Sequence, residues 1–237
     1  MLQTNTLKAG VVVLALVLAG CGNDDDTAGG QAASGDRDWG DFGENGDIVQ
    51  GDPDAPVSVI EYASVTCGHC ASFHVYTYPF MKEEYIDTGL VRYTMRALPT
   101  PPMTMARLGF MTASCVGEDR YYAFIDALMR NQSFWAFNQD MNTNRANLGQ
   151  IAAMAGLTEA EVQACQSDQA RLDAVNASSE GALEIGVNTT PTFFINGTQV
   201  NGMQAWETFE PMIIEHLPPE LRPAQDEEAE EAVDVEG

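Results

Sequence analysis

Val57-Ser58-Val59-Ile60-Glu61-Tyr62-Ala63-Ser64-Val65-Thr66-Cys67-Gly68-His69-Cys70 is the stretch on which the fold turns. Its first half, Val57 to Tyr62, is β-branched and aromatic and follows the turn-rich Gly51-Asp52-Pro53-Asp54-Ala55-Pro56, which predicts a buried strand. The strand runs straight into Cys67, after which Phe73, Tyr76, Thr77 and Phe80 recur at helical spacing and predict an apolar stripe on a helix that begins at the cysteines. Pro79 sits inside that pattern and is expected to kink the helix, because it supplies no N–H to the preceding turn. Asp87-Thr88-Gly89 closes it, and Leu90 to Leu98 reads as a second strand parallel to the first, completing a strand-helix-strand unit.

Beyond this unit Pro99-Thr100-Pro101-Pro102 breaks the chain, and residues 99–183 read as an inserted helical block. Its segments are Met103 to Val116, Asp119 to Arg130, Asn147 to Ala155, Glu159 to Ser167, and Asp168 to about Leu183. Thr158-Glu159-Ala160-Glu161 supplies a capping box and Gly156 a stop before it. Met103, Met105 and Met111 read as fillers of core gaps. After Gly186 the pattern returns to strand: Thr192 to Ile195, the dipeptide Asn196-Gly197, then Thr198 to Val200, a hairpin with a type I′ turn. A last helix is predicted from Trp206 to His216.

The ends say where such a domain would work. Lys8 precedes an apolar run from Val11 to Leu18, too short to span a bilayer but of secretory length. Leu18-Ala19-Gly20-Cys21 closes it and resembles the bacterial lipobox, so residues 1–20 are expected to be removed and Cys21 to carry the lipid. Residues 21–46 read as a flexible tether, since most of that stretch is too polar to repay its ordering entropy. Residues 218–237 read as a disordered acidic tail, with seven acids and no base from Gln225 on. The formal charge of −24 repels phosphates, so no nucleic-acid partner is expected. With Cys21 lipidated, four of the five cysteines remain, an even count that suits two disulfides in an oxidising compartment.

Two cysteines two residues apart at a helix start form a redox site for a physical reason. The first thiol lies where unpaired N–H groups and the helix dipole favour negative charge, so Cys67 is the expected nucleophile. Cys70, one turn on and more buried, is expected to resolve a mixed disulfide. Gly68 and His69 tune the pair, His69 by stabilising the thiolate electrostatically. Half of a zinc site is an alternative, but no second pair stands at ligand spacing, and His69 with His74 would not complete a tetrahedron. A purely structural disulfide is another. Glu61, six residues upstream, either lies beneath the pair and relays the proton of Cys70 or ends on the solvated side of its strand. His74 reads as a helix-surface or packing residue. Pro191, after Thr190 at the start of a strand, is placed with equal ease in cis or trans; a cis bond there would expose backbone to an extended substrate.

The stretch Asp54-Ala55-Pro56-Val57, then Glu61 to His74, together with Gly186-Val187-Asn188-Thr189-Thr190-Pro191-Thr192-Phe193-Phe194-Ile195-Asn196-Gly197, resembles the DsbA-like thioredoxin superfamily. The resemblance covers roughly Asp47 to Leu217. It implies an α/β class, with a thioredoxin fold over 47–98 and 184–217 interrupted by the helical block. It also implies a cis bond between Thr190 and Pro191 facing the cysteines, Glu61 as the buried acid, and a second, noncatalytic bridge between Cys115 and Cys165; two free buried thiols are the alternative. DsbA has Pro where this chain has Gly68, and the Gly-His dipeptide is similar to that of protein disulfide isomerase. The activity implied is thiol-disulfide exchange with unfolded or reduced exported proteins. Re-oxidation would come from a DsbB-like quinone-linked membrane protein, and no cofactor or metal would be bound. The same fold run in reverse as a reductase or isomerase, and a noncatalytic binding lipoprotein, are the alternatives.

Overall fold

The computed structural model describes residues 47–223; the expected leader, the Cys21 lipidation site, the tether and all but the start of the acidic tail lie outside them. Five strands form one sheet: β1 (Val49–Gln50), β2 (Val57–Ala63), β3 (Val91–Ala97), β4 (Thr192–Ile195) and β5 (Thr198–Asn201), in the order β1-β3-β2-β4-β5. β2 and β3 are parallel, as the strand-helix-strand reading requires, and every other pairing is antiparallel. β2 is central and buried along nearly its whole length, which accounts for its β-branched and aromatic composition, with Glu61 a charged residue carried into the interior.

The two-residue period of β2 sorts its side chains between two cores. Val57, Val59 and Ala63 join the larger core with Phe73, Tyr93, Phe193 and Phe209, while Ile60 and Tyr62 pack on the opposite face with Phe194, Ala182 and Val187. Glu61 therefore points into the larger core, toward the helix that follows β2, and it is fully buried.

That helix, α1 (Gly68–Tyr76), ends at Thr77, and α2 (Tyr78–Met81) restarts with Pro79 in its first turn, followed by a π-helical turn, Lys82–Ile86. The proline breaks the helix as expected. The predicted stripe is rotated, however. Phe73 and Thr77 are buried but Tyr76 is 65% exposed and Phe80 47% exposed, and the buried face is completed by His74 and Met81. Cys70, Phe73, His74, Thr77, Tyr78 and Met81 keep one continuous helical face through Pro79, and Tyr76 and Phe80 fall beside it; that face includes the polar His74, which hydropathy alone does not mark.

Between β3 and β4 lie α3 (Met103–Ala113), α4 (Glu118–Arg130), α5 (Gln132–Trp135), α6 (Met141–Met154), α7 (Glu159–Ser167) and α8 (Gln169–Glu184). α6 begins six residues earlier than the predicted Asn147, because Asp140 caps it, accepting from the N–H groups of Asn142 and Thr143 at 3.2 and 3.0 Å. The capping box of α7 is present, with Thr158 and Glu161 exchanging bonds at 3.3 and 2.7 Å. Met105 and Met111 fill the core, whereas Met103, in the first turn of α3, is 37% exposed. Cys115 and Cys165 are joined as a disulfide across 50 residues, tying the end of α3 to α7. Asn196 and Gly197 have φ of 43° and 85°, the pair of left-handed residues a type I′ turn demands. The last helix is α9 (Trp206–His216).

Residues from 218 do not all belong to a disordered tail. Pro219–Leu221 form a 3-10 turn, and Arg222 donates to the carbonyls of Leu217 and Glu215 at 2.9 and 3.0 Å, closing the C-terminal end of α9. Among the described residues no helix is long and apolar enough to cross a membrane.

Candidate active site

Cys67 is the N-cap of α1, with extended backbone (φ −85°, ψ 124°), so its side chain stands at the end of the helix where the first N–H groups have no carbonyl partner. As a thiol it donates to the backbone carbonyl of Thr190 at 3.5 Å, across the cis Thr190-Pro191 bond that opens the β4 segment. As a thiolate it accepts from the Cys70 thiol, the Thr190 hydroxyl and the backbone N–H groups of Cys70 and His69. Those donors, the Cys70 thiol foremost, outweigh the cost of partial burial and hold the Cys67 pKa down at about 5 against 9.0 for an ordinary thiol.

Cys70 is the opposite case. It is fully buried, and burial, its bond to Cys67 and the field of Glu61 push its thiol well above the ordinary value. Both cysteines are unbridged in this structure. The pair is thus divided into a half-buried sulfur that favours the thiolate and a buried one behind it that keeps its proton.

The loop before the helix is held from both sides. Ser64 Oγ accepts from the Thr100 N–H at 3.0 Å, and Thr66 Oγ1 donates to the Thr100 carbonyl at 2.9 Å. From α5, Gln132 Nε2 donates to the carbonyls of Val65 and Cys67 at 3.0 and 2.9 Å. Gly109 of α3 lies so close that a Cβ there would sit 2.8 Å from Val65 Cγ2 and 2.9 Å from a ring carbon of Trp135. The helical block therefore shapes the cysteine loop directly.

A family model described as thioredoxin matches residues 44–215. The crystal structure of α-DsbA1 from Wolbachia pipientis superposes with a TM-score of 0.67 at 30% identity, covering 72% of this chain and 90% of that one. The chain belongs to the DsbA-like thioredoxin family. Oxidised BdbD from Bacillus subtilis shares the fold, with a TM-score of 0.64 at 19% identity over 72% of this chain and 92% of that one. A Rickettsia bellii protein named "Putative protein-disulfide oxidoreductase" is 30% identical over 161 residues, 66% of this chain; the chain spans 59% of that relative's length.

In this DsbA-like protein the structure brings Cys67, Gly68, His69, Cys70, Thr190 and Pro191 to one place, with Glu61 buried in the core on the helix-facing side of β2. Gly68 has nothing within 4 Å of where a Cβ would be, so the space there is open to a larger residue. Cys115 and Cys165 stand apart from the site in the helical block. Among the described residues no group of three or more His, Cys, Asp or Glu is placed to hold a metal ion.

His74 is not at the helix surface. It is 1% exposed, stacks on Tyr78 with ring centroids 4.7 Å apart, and bonds Glu61 Oε2 through Nε2 at 3.3 Å. Tyr93 Oη, from β3, donates to the same oxygen. Position four residues after Cys70 was the only hint in the sequence: i and i+4 share a helix face, so a buried Cys70 implies a buried His74. Tyr93 and Gln132 carried no such hint, because each reaches the site through tertiary packing.

Proposed function

We propose that the chain is a thiol-disulfide oxidoreductase of the bacterial cell envelope that donates the Cys67–Cys70 disulfide to reduced, exported client proteins. The observation that carries this is the division of the cysteine pair: Cys67 at the helix start is held near pKa 5 while Cys70 is buried and protonated. A thiolate stabilised that strongly favours the dithiol state, which makes the disulfide a better oxidant. A client thiolate attacks Cys67 Sγ, the Cys67–Cys70 bond breaks, and Cys70 leaves with the electron pair and is protonated. A second client thiol, as its thiolate, then attacks the client sulfur of the mixed disulfide. Cys67 leaves as its stable thiolate and the client is oxidised by two electrons.

Thr190 and Pro191 would present the extended client segment, since the Thr190 carbonyl already faces Cys67 Sγ and so stands beside the reacting sulfur. The Leu18-Ala19-Gly20-Cys21 motif supports anchoring by a lipid on Cys21, and the exported setting calls for a quinone-linked membrane partner of the DsbB type to restore the disulfide. Cys115–Cys165 serves stability, closing the helical block on itself.

Oxidation of a reduced test protein by the disulfide form tests the assignment. Cys67→Ser is expected to lose at least about three orders of magnitude in rate, as removal of a covalent nucleophile does. Retained activity would overturn it. The potential measured against glutathione decides direction: a value at the oxidising end of the known range, about −120 mV, supports donation, and one near −270 mV supports a reductase.

A further inference from the structure

Glu61 has one carboxylate oxygen fully engaged and one bare. Oε2 accepts from Tyr93 Oη and from His74 Nε2, while Oε1, equally buried, has no hydrogen-bond partner. Buried carboxylates normally fill their lone pairs, so a bare oxygen calls for a use. The two donors are themselves fixed. Tyr93 is fully buried in the sheet; His74 is stacked on Tyr78, and its carbonyl accepts from Arg130 Nη2 of α4 at 3.1 Å. His74 Nδ1 has no partner, so the ring meets the carboxylate through Nε2 alone.

We infer that His74, with Tyr93, is a positioning residue for proton transfer: the two donors pin Oε2 so that Oε1 is the oxygen that exchanges a proton with Cys70. This rests on the oxidoreductase reading above. When a client thiolate opens the disulfide, Cys70 leaves with the electron pair and takes the proton from Oε1, leaving Glu61 a carboxylate. In the reverse step the Cys70 thiol gives its proton to Oε1, its sulfur attacks Cys67 Sγ in the mixed disulfide, and the client leaves as a thiolate.

The titratable groups facing Glu61 are Cys70 and His74 from α1, Tyr78 from α2 and Tyr93 from β3; across β4 its register partner is apolar Phe193. Asp126 of α4 acts on Tyr78, one residue further out. Tyr78 and Tyr93 keep their protons at any working pH, since burial raises both.

The test separates the two thiol steps by stopped flow. The reduced protein is mixed with one equivalent of the symmetrical nitrothiobenzoate disulfide. The first coloured thiolate reports attack by Cys67, and the second reports resolution by Cys70. His74→Phe keeps the ring but removes the donor; it is expected to slow the second phase about tenfold, the worth of one hydrogen bond to a charged group. The acid limb of that phase should move to higher pH, since a carboxylate with fewer donors holds its proton more tightly. The first phase should change by less than about twofold, because Cys67 draws its own stabilisation from elsewhere. Tyr93→Phe removes the other donor and should act in the same direction, and it carries the test if His74→Phe does not fold. His74→Gln, which retains an N–H, should restore most of the rate. In a Glu61→Gln background His74→Phe should add nothing. A wild-type second phase and pH profile in both His74→Phe and Tyr93→Phe would overturn the inference, as would a further slowing in the Glu61→Gln background. Absence of the first phase in the wild-type protein would instead sink the oxidoreductase reading.

Discussion

Lowering the pH should strip the reduced protein of a stabilisation that the oxidised protein never has. Cys67 titrates at about 5 in the folded, reduced state and at 9.0 as an unperturbed thiol. A depressed pKa contributes stability that is complete above the unfolded value, shrinks through the window between the two, and vanishes as the pH falls through the folded value. At pH 7 about two pH units of that window have been gained, which at ~1.36 kcal/mol each is about 2.7 kcal/mol. Cys67 is only partly buried, so solvent screening cuts this to roughly 1–1.5 kcal/mol. Cys70 adds no slope here, because burial keeps it protonated throughout that range.

The assay is urea unfolding of the reduced and oxidised forms at pH 7 and at pH 4. Carboxylates away from the site titrate in both forms and drop out of the difference, and the chain-entropy effect of the disulfide does not depend on pH. The gap between the two forms should therefore shift by about 1–1.5 kcal/mol toward the oxidised form on acidification. A gap that stays constant, or moves the other way, would refute the reasoning. Absorbance of the thiolate near 240 nm offers an independent check, and a midpoint above pH 7 would refute it equally.

Other consequences are more local. Thr190→Val removes a hydroxyl that donates to the Cys67 thiolate, so the absorbance titration of Cys67 should move upward by about half a unit to one unit, the size of one modest hydrogen bond. Gly109→Ala places a methyl against Val65 and Trp135 under the cysteine loop, and should cost about 1–3 kcal/mol in denaturant unfolding; no loss would mean that the close approach is not real. Replacing both Cys115 and Cys165 by Ala opens a loop of 50 residues and should lower stability by up to about 4 kcal/mol in the chain-entropy model. Its effect on the rate of Cys67 alkylation should be small, since the bridge lies in the helical block.

What could be read from the sequence was whatever depends on neighbours in the chain. The strand, the cysteine pair at the helix start, the Asn196-Gly197 turn and the capping box at Thr158 each draw their signal from a few adjacent residues, so backbone preference and hydrogen bonding within that window are enough. The same holds for the family resemblance, which rests on two such windows. The buried face of the helix after Cys67 is less legible because it includes the polar His74, which hydropathy does not mark, and the start of α6 because its Asp140 cap precedes the apolar pattern.

Folding in three dimensions alone decided which groups share the buried space behind Cys70. Glu61, His74 and Tyr93 come from β2, α1 and β3, and they meet because β2 and β3 are parallel neighbours with α1 packed across that face. Gln132 reaches the Val65 and Cys67 carbonyls from 67 and 65 residues away. No periodicity encodes such meetings: a hydrogen bond between side chains needs two atoms within about 3 Å, and only the packed core brings distant residues that near. The chain's own order supplies the reactive sulfur, and the packing around it decides where its proton goes.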